Sequence, residues 1–326
     1  MNKVALITGI NGQDGSYLAE HLLELGYEVH GTLKRNSVAE NQSSRLDKIF
    51  GLLRLQYADM TDISSLYRVI NKVQPDEIYN LAAQSHVRIS YDQPIYTANA
   101  TGLGVLNLLE TVREINPKIK IYQASSSEMF GNSVDADGFQ RETTPMNPVS
   151  PYGCAKVFGY NIARNYRNSY GMFISNGILF NHESIRRGTN FVTNKVCKEA
   201  AKIKHGYSEN LFLGNLDSSR DWGHAKDYVK AMHLILQLNQ PDDFVCATGI
   251  SHTVRDLCEY AFTELDLDYK KYVNLHEKFL RPEELDFLKG DPSKLKAMTG
   301  WDPQYTFESM ITEMVDYWHK LYRKIY

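Results

Sequence analysis

Cysteine is scarce, with four in 326 residues. Cys154, Cys197, Cys246 and Cys258 lie 43, 49 and 12 residues apart, which excludes a dense disulfide framework and any CxxC-type zinc or redox pairing. Long apolar runs are missing as well, and none approaches the roughly 18 residues of a membrane span. At the N-terminus only Val4, Ala5, Leu6 and Ile7 run together before a polar glycine loop, too few for a secretory signal core. Neither sign of charge dominates. A formal net charge of -3 gives no global basic field for nucleic acid or an anionic membrane, so an anionic ligand must be held by local cations. These absences lead us to expect a soluble, cytoplasmic protein with free thiols and no metal site. They give no reason to expect a nucleic-acid or membrane partner. No internal repeat or low-complexity tract interrupts the chain.

What is present is ordinary globular material: 43% hydrophobic and 23% charged residues, and a length that favours about two domains. Over the first 130 residues, short runs rich in β-branched and aromatic residues (4–8, 28–33, 53–57, 77–83 and 119–125) read as strands. Leu18, Leu22 and Leu25 recur at helical spacing between the first two, with Gly26 as the stop. Residues 103–112 read as another helix. Alternation of this kind predicts a Rossmann-type, doubly wound parallel sheet with helices on both faces. Ser150 and Pro151 form an N-cap and first helical position, opening a helix to about residue 170. A further strand is expected at 173–179. Beyond it the text turns loop-rich at 181–190, 215–221 and 279–291, with helices at 251–265 and 307–322. We therefore expect a smaller, partly interleaved α/β substrate domain (181–216 and 250–326) beside the dinucleotide domain (1–180 and 217–249).

Between the first strand and first helix stand Gly9, Asn11, Gly12, Gln13, Asp14 and Gly15. Glycines there permit a tight turn and close approach of the backbone to a pyrophosphate, whose charge meets a helix N-terminus. An NAD site would usually carry Asp or Glu after the second strand. Here Lys34 and Arg35, followed by Asn36 and Ser37, suit a 2′-phosphate, so NADP is the expected cofactor. Asp59 and Met60 are placed to meet the adenine. Leu81, Ala82, Ala83 and Ser85 should run beside the pyrophosphate and nicotinamide ribose.

Tyr152 and Lys156 stand four apart on the 150–170 helix, on one face, where an ammonium favours the phenolate. Ser126, at the end of the fifth strand, can donate to a sugar oxygen beside Tyr152. Glu128 points to the same side if the extended conformation persists. Ser, Tyr and Lys suffice for hydride transfer at a carbinol carbon. A carboxylate adds a base for a C–H proton and an acid for a leaving hydroxyl.

The chain resembles the GDP-mannose 4,6-dehydratases of the extended short-chain dehydrogenase/reductase superfamily. The likeness is carried by ITGINGQDGSYLAE (7–20), VQPDEIYNLAAQSHV (73–87), YQASSSEMFG (122–131), SPYGCAK (150–156), NGILFNHES (176–184), RRGTNFVT (186–193), LGNLDSSRDWGHAKDYV (213–229) and RPEELDFLKGDPSK (281–294). The resemblance implies a redox-neutral dehydration of GDP-mannose. Tyr152, aided by Lys156 and Ser126, takes the C4 hydroxyl proton as the C4 hydride passes to NADP⁺. Glu128 removes the C5 proton and assists loss of the C6 hydroxyl. The hydride returns to C6 and a proton to C5, giving GDP-4-dehydro-6-deoxy-D-mannose.

By the same resemblance, Tyr96, His182 and Arg187 join the cofactor-binding set with Tyr152 and Lys156. Ser85, Ser126, Glu128, Asn181, Lys195, Arg220, Arg281 and Glu284 face the substrate. A homodimer or homotetramer is implied, with 34–45 as a candidate subunit contact. Left open are a structural role for His182 and a local ion pair between Arg220 and Asp221. The sequence departs from the family pattern at Ile185 (usually proline), Asn194 (usually arginine), Gly153 (usually alanine) and Ser126 (commonly threonine). Two other readings stay open: another nucleotide-sugar epimerase or reductase of the superfamily, and a catalytically silent NADP-binding regulator.

Overall fold

The computed structural model describes residues 2–36, 44–279 and 283–323. Arg281, expected at the substrate, and Ser37 lie outside the described residues, as does most of the 34–45 segment. Among the described residues twelve strands follow in chain order: β1 (Val4–Thr8), β2 (Glu28–Leu33), β3 (Arg54–Tyr57), β4 (Glu77–Asn80), β5 (Lys120–Ser126), β6 (Ile174–Leu179), β7 (Asn181–Glu183), β8 (Leu211–Leu213), β9 (Ser219–His224), β10 (Asp243–Cys246), β11 (Ser251–Thr253) and β12 (Val273–Leu275). Seven form one parallel sheet in the order β3-β2-β1-β4-β5-β6-β10. The chain order reverses between β1 and β4, so a crevice opens above their carboxyl ends. This is the doubly wound α/β architecture expected from the alternating pattern.

The central strands β1, β4, β5 and β6 are buried on both faces, which is why they read as short apolar runs, while the edge strand β3 stays partly exposed. Helices Gln13–Glu24 and Ala225–Gln237 cover one side, with Tyr17, Leu18, Leu22, Met232, Ile235 and Leu236 packed on Ala5, Ile7 and Tyr79. Helices Ile63–Val73, Gly104–Ile115 and Pro151–Tyr170 cover the other. Ser150 caps the last of these as its composition suggests, its hydroxyl accepting from Gly153 N at 3.0 Å. Such a cap stabilises a helix by about 1 kcal/mol.

A separate apolar cluster gathers helices Val192–Lys204, Val254–Thr263 and Phe307–Arg323 around Trp222, Leu257, Met310 and Trp318. Beside it lie two small sheets, β11-β9-β7 and β12-β8. Among the described residues, no helix is long and apolar enough to cross a membrane.

Three local readings are revised. The fourth strand ends at Asn80 and not at 83, because the Thr8 hydroxyl captures Leu81 N (3.0 Å) and Ala82 N (3.1 Å) and draws the chain off the ladder. The helix expected at 103–112 is part of a continuous helical run from Pro94 to Ile115 with a π-helical stretch at Ala98–Leu103. That wider turn breaks the 3.6-residue periodicity on which the reading rested. The loops expected at 181–190 and 215–221 contain β7 and the start of β9, short strands whose mostly polar text carries little strand signal.

Candidate active site

A cleft of about 570 Å³ sits at the carboxyl ends of the central strands and reaches across to the second apolar cluster. Its floor is the turn between β1 and helix Gln13–Glu24. Gly9 holds φ +68°, and a Cβ there would meet Ala82 at 3.1 Å. A Cβ on Gly15 would lie 2.5 Å from the Gly9 carbonyl oxygen and 2.6 Å from Ile10 Cα, so the first helical turn fits against the loop only without a side chain. Gly12 stands at the helix's N-cap and offers no side-chain cap, so the first N–H groups of the helix, beside the cleft, have no side-chain acceptor. A backbone cradle at a helix N-terminus fits a dinucleotide's pyrophosphate.

Asp14 lies in that first turn, where its charge would repel a phosphate. The fold answers with His182 of β7: its Nε2 is 2.8 Å from Asp14 Oδ2, and its Nδ1 is 2.7 Å from the Phe180 carbonyl oxygen. The ring stacks on Tyr228 at 4.6 Å. Burial lowers the His182 pKa, yet Asp14's charge and hydrogen bond outweigh it and leave the imidazole above its ordinary 6.5. Burial likewise works against the Asp14 charge, and His182 reverses the balance, holding the carboxyl below 3.8. Both residues line the cleft, so the structural and ligand-facing readings of His182 are compatible.

At the other end, Lys34, Asp59 and Tyr96 form one cluster. Lys34 Nζ donates to Tyr96 Oη at 2.6 Å, sits 3.2 Å from Asp59 Oδ2 and lies 4.4 Å from the Tyr96 ring centroid. Three residues read separately as cofactor contacts are thus brought together beyond the carboxyl ends of β2 and β3, outside the walls of the main cleft. Arg35 is exposed, its guanidinium donating to the Asn36 carbonyl at 2.8 Å. Asn11 gives its carbonyl to Arg45 (3.2 Å), and Met60 is buried with its carbonyl held by Asn107. Neither side chain is among those lining the cleft.

Ser126, Glu128, Tyr152 and Lys156 all line the cleft and are all buried. The extended backbone ends at Ser126. A 3-10 turn, Ser127–Met129, then carries Glu128, whose N–H donates to Ser126 Oγ at 3.2 Å. The carboxylate therefore reaches the site from a turn and not from a continued strand. Burial pushes the Tyr152 phenol up to about pKa 12, with the Ser126 hydroxyl opposing the rise and the Glu128 charge adding to it. Lys156 Nζ donates to the Ala124 carbonyl at 2.7 Å and stands 5.7 Å from the Tyr152 ring centroid. Burial brings its pKa down to about 8, against Asp14's opposing charge.

Asn181, Arg187, Lys195, Arg220 and Glu284 also line the cleft, with Leu81, Ala83 and Ser85. Asn181 Oδ1 is buried with no hydrogen-bond partner, an acceptor that costs stability unless a ligand donates to it. Arg187 pairs with Glu183 (3.0 Å) and covers the Phe191 ring at 3.6 Å. Lys195 donates to the Phe212 carbonyl (2.6 Å), and its ammonium lies 3.7 Å from the Phe279 ring centroid.

Arg220 makes no local ion pair with Asp221, since adjacent strand residues point to opposite sides. It donates to the carbonyls of Ser219 (2.8 Å) and Leu285 (2.6 Å), while Asp221 accepts from Thr248, Gly249 and Gly290. Asn194 points inward, its amide held by the Arg187 carbonyl and the Trp318 indole, so the loss of a cation there leaves the cleft's lining unchanged. Ile185 packs against the second apolar cluster. His86 and Phe191, with rings 4.9 Å apart, also line the cleft, as do Lys278 and Phe279. Sequence reasoning missed these four; an aromatic inside a loop-and-glycine stretch, as at Phe191, is the signal that was available.

A glycine-lined helix N-terminus at the switch point of a parallel sheet, with Ser, Tyr and Lys converging beyond it, defines a short-chain dehydrogenase/reductase. Solved structures agree on the fold. Dehydratase DesIV (dTDP-glucose 4,6-dehydratase) of Streptomyces venezuelae, with NAD and TYD bound, superposes with TM-score 0.86 at 23% identity over 99% of this chain and 98% of that one. The Thermus thermophilus UDP-glucose 4-epimerase complex with NAD gives TM-score 0.84 at 25% identity over 97% and 98%. Residues 6–314 match the family model for GDP-mannose 4,6 dehydratase. GDP-mannose 4,6 dehydratase 2 of Arabidopsis thaliana is 50% identical over 96% of this chain and 86% of its own length. The Homo sapiens GDP-mannose 4,6 dehydratase is 48% identical over 96% and 90%. The chain belongs to the GDP-mannose 4,6-dehydratase family.

Proposed function

We propose that the protein converts GDP-D-mannose to GDP-4-dehydro-6-deoxy-D-mannose, a hydro-lyase reaction with NADP as bound cofactor. The observation that carries this reading is Glu128 buried beside the Ser126–Tyr152–Lys156 group. A 4-epimerase or 4-keto reductase needs the last three and has no use for a carboxylate there.

Bound NADP supplies reversible oxidation at the sugar carbon. The rest is done by the chain's own groups. Tyr152 withdraws the C4 hydroxyl proton with Ser126 holding the phenol in place, and Lys156 supplies positive charge that favours the phenolate. Glu128 removes the proton at C5, acidified by the neighbouring ketone, delivers it to the departing C6 hydroxyl to release water, and, reprotonated from solvent, returns a proton to C5 as C6 is reduced. The Gly9–Gly15 loop cradles the cofactor's pyrophosphate. Lys34 and Arg35 face its 2′-phosphate, with Asp59, Met60 and Tyr96 at the adenosine end and Leu81, Ala82, Ala83, Ser85, His182 and Arg187 along its length. Asn181, Lys195, Arg220, Arg281 and Glu284 hold the GDP-sugar, whose diphosphate calls for cations.

The apolar cluster on helices Val192–Lys204, Val254–Thr263 and Phe307–Arg323, separate from the two on the faces of the sheet, supports a division into a cofactor-binding part (1–180 and 217–249) and a substrate-binding part (181–216 and 250–326). Ile95, Leu103 and Phe158 leave exposed apolar side chains on the helices at 94–103 and 151–170, which suits a homodimer or homotetramer in the cytoplasm. Incubation with GDP-mannose and catalytic NADP⁺, with the product identified by mass and NMR, tests the assignment; recovery of unchanged sugar or a C4 epimer contradicts it.

A further inference from the structure

The segment carrying Glu284 runs along β9 and is gripped from both sides. On the β9 side, Ser219 N donates to the Asp286 carbonyl (2.8 Å), Leu288 N to the Ser219 carbonyl (3.1 Å) and Arg220 Nη2 to the Leu285 carbonyl (2.6 Å). Asp221 closes that side. Its Oδ1 accepts from Thr248 N (2.9 Å) and Thr248 Oγ1 (2.7 Å), and its Oδ2 accepts from Gly249 N (2.9 Å) and Gly290 N (3.3 Å). One fully buried carboxylate thus joins β9, the turn after β10 and the end of the Glu284 segment. On the other side, the Asn132 amide spans two backbone groups: Nδ2 donates to the Glu284 carbonyl (3.1 Å) and Oδ1 accepts from Asp286 N (3.0 Å). Asn132 stands four residues after Glu128, on the loop that leaves the catalytic turn.

We propose that Asp221 and Asn132 are positioning residues that clamp the 284–291 segment and so fix Glu284 against Arg220 for the nucleoside-diphosphate part of the substrate. The proposal rests on the dehydratase reading for the identity of that ligand. Neither residue is among those lining the cleft. Asp221 acts because four donors converge on one carboxylate, which no neutral side chain of the same shape can satisfy. In Asp221→Asn the amide NH₂ faces at least one backbone N–H whichever way it turns, so a strand of the clamp is lost while volume is kept. Asn132→Ala opens the clamp from the solvent side with no buried group disturbed.

The test compares both variants with wild type, measuring KM and kcat for GDP-mannose and, by calorimetry, the GDP Kd on NADP-loaded enzyme and the NADP Kd on enzyme stripped of cofactor. We expect D221N to raise KM and the GDP Kd about tenfold, and N132A about threefold, the losses of one or two hydrogen bonds. In both variants kcat should stay within about twofold and the NADP Kd unchanged, a split that general damage to the fold does not produce. Unchanged GDP binding in N132A overturns the clamp, as does a D221N whose kcat falls with KM fixed or whose NADP affinity falls equally. Should D221N not fold, N132A decides. The GDP measurement does not need turnover, so a wild-type enzyme inert toward GDP-mannose would refute the reaction while the clamp is still judged on GDP.

Discussion

His182 Nε2 and Asp14 Oδ2, 168 residues apart in sequence, meet at 2.8 Å and tie the phosphate loop to β7. The pair neutralises a carboxylate beside the expected pyrophosphate and locks the two halves of the cleft together. Its stability contribution has a defined pH window. His182 is raised above 6.5, so its contribution is complete below 6.5 and is lost as pH rises through its folded-state pKa. Asp14 is depressed below 3.8, so its contribution is complete above 3.8 and is lost as pH falls through the depressed value. Thermal unfolding of wild type and His182→Asn between about pH 5 and 9 should show the largest Tm gap at the acid end, narrowing as pH rises. A gap independent of pH would mean that the pair is not charged.

Glu128→Gln keeps shape and removes the base for C5 and the acid for water loss. Dehydration should fall by about 10²–10⁴-fold. Oxidation at C4 should suffer less, so a little NADPH accumulates, visible by its absorbance. Near wild-type product formation would remove Glu128 from the mechanism.

Replacing Lys34 and Arg35 with uncharged residues should weaken NADP more than NAD, because only NADP carries the 2′-phosphate. Charge-assisted hydrogen bonds are worth about 1.5–3 kcal/mol, so selectivity should drop at least about tenfold in direct Kd measurements. Lys34 also bridges Asp59 and Tyr96, so a smaller loss shared by both cofactors is expected on top. Equal weakening of the two would assign Lys34 to the loop's integrity alone.

Gly15→Ala tests the cradle. The new Cβ would lie 2.5 Å from the Gly9 carbonyl oxygen and 2.6 Å from Ile10 Cα, backbone atoms that cannot rotate away. The turn must open, and the NADP Kd should rise at least about tenfold, equivalent to ~1.4 kcal/mol. Unaltered affinity would show that the loop does not set the pyrophosphate's seat.

Much of this was legible in the sequence because the signals are local. The β1 turn announces itself by glycines between an apolar run and a leucine stripe, and Tyr152 and Lys156 share a helix face by spacing alone. Glu128 was reached by assuming extended backbone, whereas a 3-10 turn delivers it; the side of the sheet was right and the local conformation was not. Long-range pairings left no mark. Nothing in the text joins Asp14 to His182, Lys34 to Asp59, or Asn132 to the backbone at 284–286, since each depends on how distant segments stack. Asn194 shows the converse: where the family usually carries a cation this chain has a neutral residue, and its burial between Arg187 and Trp318, a packing role, is not legible in the sequence.

The central claim is that Tyr152 and Glu128 act on one sugar in one sequence of steps, with the cofactor returned to its starting state. GDP-mannose deuterated at C4, turned over with catalytic NADP⁺, should give product deuterated at C6, while C5 takes up solvent hydrogen through Glu128. Mixed with unlabelled substrate, the label should stay within the molecule that carried it, and absorbance from NADPH should show no lasting rise. Label scrambled between molecules, or NADPH accumulating in step with product, would contradict the dehydratase account even with fold and cofactor as described.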